Sequence, residues 1–403
     1  MGFIYGLAVF LVIFEGIIIQ CEGAGGGESS SRREDAQVTA DVEHLKISDP
    51  DKRKTLLCNC SIKAIVMAIS MNIVSPMEVE DSKRLENHII EIVPCSENNG
   101  KVVELKENDN LFLRFNSYEE LDPFFKNYGA HVEKISINLN SYELINDNNF
   151  GIIEMCKDNL KELRITTSAD EDFWEGISRE GIKFSKVEKF QLKGNSQQEE
   201  LNLNIIFPEL KYLELMADVA DVNCLDNVQG LTELTLHTDS IKEHQFHDIF
   251  QNNGNMTMLY LSKPTSRETM QSIADNLKLL QTLKVKRPGP NFLSRTKDDE
   301  ICELPNVKHF YIWFYEKGDT LPTEKFSFIM PELRTITLHI AFYTDNRFVK
   351  FIKHFKKLQT VELIVRKTRI DLEIAMKPEW KLSATVENRM IFERNLTYLH
   401  NNK

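Results

Sequence analysis

A short apolar pattern recurs ten times in the sequence and constrains the fold more than any other feature. Each copy is an apolar residue, two variable positions, a second apolar residue, one variable position and a third apolar residue. Nine intervals of roughly 21 to 28 residues separate Val132 from Leu358, with a mean of about 25. The copies are Val132-Ile135-Ile137, Leu160-Leu163-Ile165, Val187-Phe190-Leu192, Leu210-Leu213-Leu215, Leu231-Leu234-Leu236, Met256-Leu259-Leu261, Leu280-Leu283-Val285, Val307-Phe310-Ile312, Leu333-Ile336-Leu338 and Leu358-Val361-Leu363.

The second half of each copy alternates as a β-strand does. In the copy that begins at Leu160, Leu163 and Ile165 point to one side, and Glu162 and Arg164 point to the other. So short a strand cannot bury its apolar side alone. Strands of successive copies placed side by side bury it in one continuous core, so the spacing predicts a parallel sheet.

The pattern and its period resemble those of leucine-rich-repeat proteins, which are binding scaffolds. The resemblance implies an α/β solenoid of about ten irregular repeats, with a parallel concave sheet and a mixed helical and irregular convex side. Helical spacing of apolar residues predicts return helices over 149–157, 241–250, 267–276 and 346–355. Regular repeats carry Asn or Cys three residues after the third apolar residue. Here that slot holds Asn, Ser or Asp only in the first half of the series, for example Asn140, so a ladder of such side chains is present at best in that half.

The N-terminus predicts a secretory signal peptide over residues 1–23. Gly2 to Phe14 is an uncharged and mostly apolar run, and small residues at Cys21 and Gly23 offer a cleavage site before Ala24. The alternative is an uncleaved membrane anchor. The Gly/Ser-rich stretch 24–43 that follows predicts a disordered tail. No later segment approaches transmembrane length, so we expect a secreted product with no membrane span after cleavage.

Secretion changes how the cysteines and certain asparagines are interpreted. An oxidising compartment favours a disulfide from Cys58 or Cys60 to Cys95. The later cysteines lie on distant repeats, out of reach of one another, and are predicted to be buried thiols: Cys156, Cys224 and Cys302. Three sequons supply acceptors for N-glycosylation: Asn59, Asn255 and Asn395.

The repeats are predicted to span residues 131–375, and the segments before and after them are predicted to be caps. Residues 44–130 form an N-terminal leader, and its end, Phe124 to Val132, resembles the leader of insect F-box/leucine-rich-repeat proteins, where a helix ends in an aromatic-Gly pair. Those families carry an F-box that docks a Skp adaptor of a ubiquitin ligase, marked by a Leu-Pro pair that residues 41–95 lack. Residues 376–403 are predicted to form a hairpin cap and a tail.

Composition and motifs argue against several function classes. The net charge of −12 disfavours generic nucleic-acid binding, which needs clustered cations. Nucleophile elbows, glycine-rich phosphate loops and metal motifs are absent from the sequence, so we predict no enzyme activity, cofactor or metal site. His309 and His339 belong to adjacent strands but differ by four positions, roughly 13 Å, which is too far for one ion.

The predicted concave face carries its largest side chains in the later repeats. The strands of the copies before Met256 point mostly polar or charged residues outward, such as Gln191 and Glu233. Exposed aromatic residues with interleaved cations supply many binding hot spots. The alternative is that Lys286 covers Trp313 in an internal cation–π contact, with no ligand. The predicted partner-binding residues are Met258, Tyr260, Lys284, Lys286, His309, Tyr311, Trp313 and His339.

The sequence therefore favours a secreted, glycosylated leucine-rich-repeat protein that binds another protein through its concave face in recognition or as an effector. One alternative is an F-box-related substrate receptor of a ubiquitin ligase with a diverged adaptor-docking region. A structural adhesion role is the third possibility.

Overall fold

The structure is a computed structural model. It describes the following residues, to which every structural statement below refers: 37–46, 48–57, 60, 62–75, 90–94, 103–107, 110–115, 118–138, 153–167, 177, 181–194, 202–216, 225, 227–237, 241–262, 266–286, 288, 292, 301–314, 328–340, 351–365, 379–386 and 389–395.

One long sheet organises the molecule. Its fifteen strands are arranged in the order β16-β17-β15-β14-β12-β10-β9-β8-β7-β6-β5-β4-β1-β2-β3, and β11 and β13 form a separate pair. The strands are β1 Ile90–Pro94, β2 Val103–Glu107, β3 Asn110–Phe115, β4 Lys134–Asn138, β5 Glu162–Thr167, β6 Lys189–Gly194, β7 Tyr212–Met216, β8 Glu233–Leu236, β9 Met258–Leu261, β10 Thr282–Lys286, β11 Cys302–Glu303, β12 His309–Phe314, β13 Phe328–Ile329, β14 Thr335–Ile340, β15 Thr360–Val365, β16 Trp380–Val386 and β17 Arg389–Arg394.

The strands from β4 to β15 in the long sheet are parallel, in the register that the repeated pattern requires. Leu163 of β5 pairs with Phe190 of β6, and Ile165 pairs with Leu192, so second and third apolar residues stack in two columns. The side chains in these columns are buried in a single core. This mixed α/β fold with a mainly parallel sheet is consistent with a leucine-rich-repeat-like solenoid.

A repeated hydrogen bond begins each of these strands. The carbonyl oxygen of Glu133, which follows Val132, accepts from the backbone N–H groups of both Lys161 and Glu162. The carbonyl of Lys161 accepts in the same way from Glu188 and Lys189, and equivalent pairs continue as far as β15. The chain therefore enters the parallel strands from β5 to β15 of the long sheet with the same backbone hydrogen bonds, although the connecting segments differ in length.

The returns between strands are partly helical, as predicted. Helices Glu243–Asn252 and Arg267–Asn276 lie side by side in consecutive returns. Ser266 caps the second helix by accepting a hydrogen bond from the Thr269 N–H at 3.3 Å. Residues 153–156 and 351–353 are helical within the other two predicted returns, and Leu203–Ile206 adds a short helix. Asn140 lies outside the described residues.

The N-terminal leader contains several helices. They are residues 37–44, Pro50–Leu57, Ile62–Ser70 and Tyr118–Tyr128, with a 3₁₀ turn at Gly129–His131. We expected a disordered tail as far as residue 43, whereas residues 37–44 are helical. The difference arises because Val38, Val42 and Leu45 recur at helical spacing and are buried. The Gly-rich part of the predicted tail and the predicted signal peptide lie outside the described residues.

Strands β1, β2 and β3 extend the sheet on the leader side. Strand β1 pairs in parallel with β4, with Ile90 opposite Ile135 and Ile92 opposite Ile137. The β1 strand therefore continues the parallel register of the repeat strands, and β2 and β3 follow it in antiparallel order.

The C-terminal hairpin covers the last parallel strand. Strand β17 pairs antiparallel with β15, placing Phe392 opposite Val361, and β16 pairs with β17 on its other side. Trp380 and Phe392 are both buried, so the hairpin closes the core at this end of the sheet.

No helix among the described residues is long and apolar enough to cross a membrane.

Candidate functional site

The candidate site lies on the open face, which we define as the side of strands β4–β15 opposite the core. Side chains alternate strictly between the two sides. In β12, Phe310 and Ile312 are buried, Tyr311 and Trp313 are partly exposed, and His309 is exposed. The aromatic side chains at the odd-numbered positions of β12 are therefore available on the open face.

The strand register brings most of the predicted contact residues together in two rows. Lys284 lies between Tyr260 on one neighbouring strand and Tyr311 on the other. In the next row, Trp313 lies between Lys286 and His339. Adjacent strands are about 4.8 Å apart, so each row is a continuous surface. We call Tyr260, Lys284, Lys286, Tyr311 and Trp313 the aromatic–lysine patch.

Trp313 is held on both sides. The Lys286 ammonium lies 4.8 Å from the centre of the Trp313 ring, as the cation–π alternative predicted. On the other side, Trp313 meets the His339 ring edge-to-face, with ring centres 4.2 Å apart. Trp313 therefore stands in a fixed orientation, and a fixed aromatic ring loses less entropy when a partner binds.

The remaining predicted contact residues differ in exposure. Met258 is partly exposed and occupies the same row as Thr282 and His309. Only 8% of His339 is exposed, which leaves little of its surface for a partner. Its packing against Trp313 makes it a support for the patch. The two histidines, His309 and His339, are four register positions apart, as the sequence indicated.

A polar cluster beside the patch was not anticipated from the sequence, where Gln191 and Glu214 looked like ordinary surface residues. The Glu214 carboxylate accepts hydrogen bonds from the Tyr212 hydroxyl at 2.5 Å and from Gln191 at 2.9 Å. His237 Nε2 lies 3.8 Å from the same carboxylate, and the His237 ring contacts Tyr260 at 4.6 Å between ring centres. The cluster therefore adjoins the patch through Tyr260.

The titration of this cluster follows from its burial and its charges. Burial, followed by the hydrogen bond and charge of Glu214, raises the pKa of Tyr212 to about 12. The pKa of His237 is lowered mainly by burial and also by Lys286, while Glu214 acts in the opposite direction.

A second unanticipated group closes the other side of the patch. Glu362 of β15 accepts a hydrogen bond from the Thr337 hydroxyl at 3.3 Å and forms an ion pair with Arg389. Arg389 comes from the C-terminal hairpin, and antiparallel pairing of β17 with β15 brings it there. The sequence predicted the hairpin that carries Arg389, but it did not predict the ion pair between Arg389 and Glu362.

The predicted modification sites are partly described. Asn255 is exposed, and Asn395 is partly exposed with its backbone N–H bonded to the carbonyl of Glu379 at 2.8 Å. Asn59, Cys58, Cys95 and Cys224 lie outside the described residues, so glycosylation and the disulfide remain predictions.

The cysteines that the structure describes are buried. They are Cys60, Cys156 and Cys302. Burial raises the pKa of Cys156 to about 12, which keeps it a thiol, and Cys302 donates a hydrogen bond to Gln271 at 3.1 Å. Within the described residues, no group of three or more His, Cys, Asp or Glu side chains is placed to hold a metal ion.

Comparison with known proteins yields likenesses among solved structures but not among family models or curated proteins. No protein-family model and no curated protein matches the sequence. Among solved structures, the chain is similar to an internalin (inlF) from Listeria monocytogenes, with 12% identity, 65% of this chain and 67% of that chain covered, and a TM-score of 0.35. The case for a repeat fold therefore rests on the periodicity and strand register of this chain itself.

Proposed function

We propose that this chain is a secreted leucine-rich-repeat protein that binds another protein through the aromatic–lysine patch, in a recognition or effector role. The observation that carries the proposal is the register that aligns Tyr260, Lys284 and Tyr311 beside Lys286 and Trp313 on an open sheet face. Aromatic residues that are rigidly held contribute disproportionately to protein–protein affinity.

The proposal is tested by replacing the two central aromatic residues. Tyr311→Ala combined with Trp313→Ala should weaken partner binding by about 2 kcal/mol or more, roughly thirtyfold. Partners crosslinked to the tagged full chain would be identified by mass spectrometry, and their affinities measured by titration with wild type and variant. Because both side chains point away from the core, circular dichroism of the variant should be unchanged.

Lys189→Ala combined with Lys193→Ala on β6 is the matched control, since it alters the same open face outside the patch. A partner that binds the patch should bind this control as it binds wild type. Equal affinity for the Tyr311/Trp313 variant and wild type would refute the proposed site.

Secretion is tested separately, because it decides where a partner should be sought. We expect the full chain expressed in insect cells to appear in the medium, to begin near Ala24 and to lose mass on glycosidase treatment. Uncleaved, unglycosylated protein in the cytosol would instead favour the F-box-related alternative, which predicts that residues 41–95 capture a Skp-type adaptor. Self-association without another partner would favour an adhesion role.

A further inference from the structure

Four adjacent strands of the open face carry no carboxylate, although the chain has a net charge of −12. Among their twelve outward positions are two lysines, two histidines and three aromatic residues. These positions are Met258 and Tyr260 on β9 with Ser262 directly after it, Thr282, Lys284 and Lys286 on β10, His309, Tyr311 and Trp313 on β12, and Thr335, Thr337 and His339 on β14. These outward positions therefore carry two lysine charges and no negative charge.

The carboxylates that border this region in the rows of the two lysines are already engaged. Glu214 accepts hydrogen bonds from Tyr212 and Gln191, and Glu362 is paired with Arg389. Glu233 of β8 borders the row of Met258, two strands away from β10. The two nearest described carboxylates on the row of Lys284 therefore already interact with other groups, and Lys284 lies three strands away from each of them.

The spacing of the two lysines matches an extended peptide. Lys284 and Lys286 are two residues apart on one parallel strand, which is about 6.6 Å. Side chains at alternate positions of an extended peptide have the same spacing. Tyr260 and Tyr311 flank Lys284 on the neighbouring strands and offer apolar surface beside the charges.

We infer that the aromatic–lysine patch binds an extended acidic segment of a partner protein, with carboxylates at alternate positions opposite Lys284 and Lys286 and the methylene groups of those same side chains against Tyr260, Tyr311 and Trp313. This inference rests on the proposed function and specifies the chemistry of the partner.

The composition of the patch favours peptide carboxylates over a polyanion such as heparin or nucleic acid. Polyanion sites neutralise many charges and rely on arginine, which binds phosphate or sulfate in a bidentate manner. The twelve outward positions contain no arginine and only two lysines. Aromatic surface beside two point charges instead fits glutamate side chains at alternate positions of an extended segment, whose methylene groups can contact the rings while their carboxylates reach the lysines.

Fluorescence anisotropy with the full chain and two labelled peptides tests the inference. The probe is Glu-Leu-Glu-Leu-Glu, and its uncharged counterpart is Gln-Leu-Gln-Leu-Gln. We expect the acidic peptide to bind more tightly, and Lys284→Gln to weaken its binding about fivefold or more. Lys193→Gln, a lysine on the same face of β6, should leave the binding unchanged.

The outcomes separate this inference from the proposed function. Equal or undetectable binding of the two peptides, or no effect of Lys284→Gln, overturns the acidic-segment inference. A heparin fragment that binds more tightly than the peptide, and loses affinity in Lys284→Gln, also overturns it in favour of a polyanion. If Tyr311→Ala with Trp313→Ala abolishes binding of a partner that Lys284→Gln still binds fully, the proposed function stands and the inference fails.

Discussion

Asn253 shows how a single polar side chain joins neighbouring repeats. It is 1% exposed, and its oxygen accepts a hydrogen bond from the Leu231 N–H at 2.9 Å. Its amide group donates to the carbonyls of Val228 and Ile249, both at 2.8 Å. The repeat pattern predicts structural asparagines three residues after the third apolar residue of each copy. The structure places this one in the turn before Met256, where it satisfies backbone groups of the preceding repeat.

Removing this side chain should destabilise the fold substantially. Asn253→Ala deletes three hydrogen bonds and leaves buried backbone groups without their partner. We expect the free energy of unfolding to fall by about 2–4 kcal/mol, measured by urea denaturation. Gln251→Ala, an exposed position in the preceding helix, is the control and should change it by less than about 0.5 kcal/mol. Similar losses in both variants would mean that Asn253 has no special role.

Helices and strands with a clear local periodicity were predicted from the sequence, whereas a strand that is defined by its pairing with a distant segment was not. The helix predicted at 267–276 coincides with Arg267–Asn276, and the predicted C-terminal hairpin is present as β16 and β17. The β1 strand was missed because Ile90 and Ile92 supply only the second and third apolar residues of the pattern. Polar Asn87 occupies the first position, so only the pairing with β4 reveals that β1 extends the parallel part of the sheet.

The C-terminal hairpin should keep the protein monodisperse. Strand β15 has the apolar, β-branched sequence Thr360–Val365, and β17 covers its outer edge. A chain ending at residue 378 exposes that edge, and exposed apolar edges pair with other chains. We expect this truncation to form large oligomers in size-exclusion chromatography with light scattering.

A chain ending at residue 395 is the matched control, since it retains the hairpin and lacks only the last eight residues. It should elute as the full chain does. If the chain ending at residue 378 also elutes in that way, the hairpin is not required to protect β15.

The candidate site belongs to the scale of the whole molecule, because no single repeat contains it. The sequence predicted the rows of the aromatic–lysine patch correctly, since the constant strand register fixes which residues are neighbours. It did not predict the groups at its borders. The contacts of Glu214 with Tyr212 and His237 depend on side-chain conformations, and the Glu362–Arg389 pair depends on how the hairpin folds back.

A substitution in the core of one repeat should destabilise mainly that repeat and the two beside it, because each repeat of a solenoid contacts mainly its neighbours. Leu259 of β9 is fully buried, and Leu259→Ala should lower the free energy of unfolding by about 2–5 kcal/mol. We expect hydrogen exchange measured by mass spectrometry to accelerate first in β8, β9 and β10, while β4 and β5 remain protected. Met258→Ala, which shortens the adjacent side chain on the open face, should leave exchange in all these strands nearly unchanged. If Leu259→Ala accelerated exchange equally from β4 to β15, the sheet would unfold as one cooperative unit, and the aromatic–lysine patch would depend on every repeat.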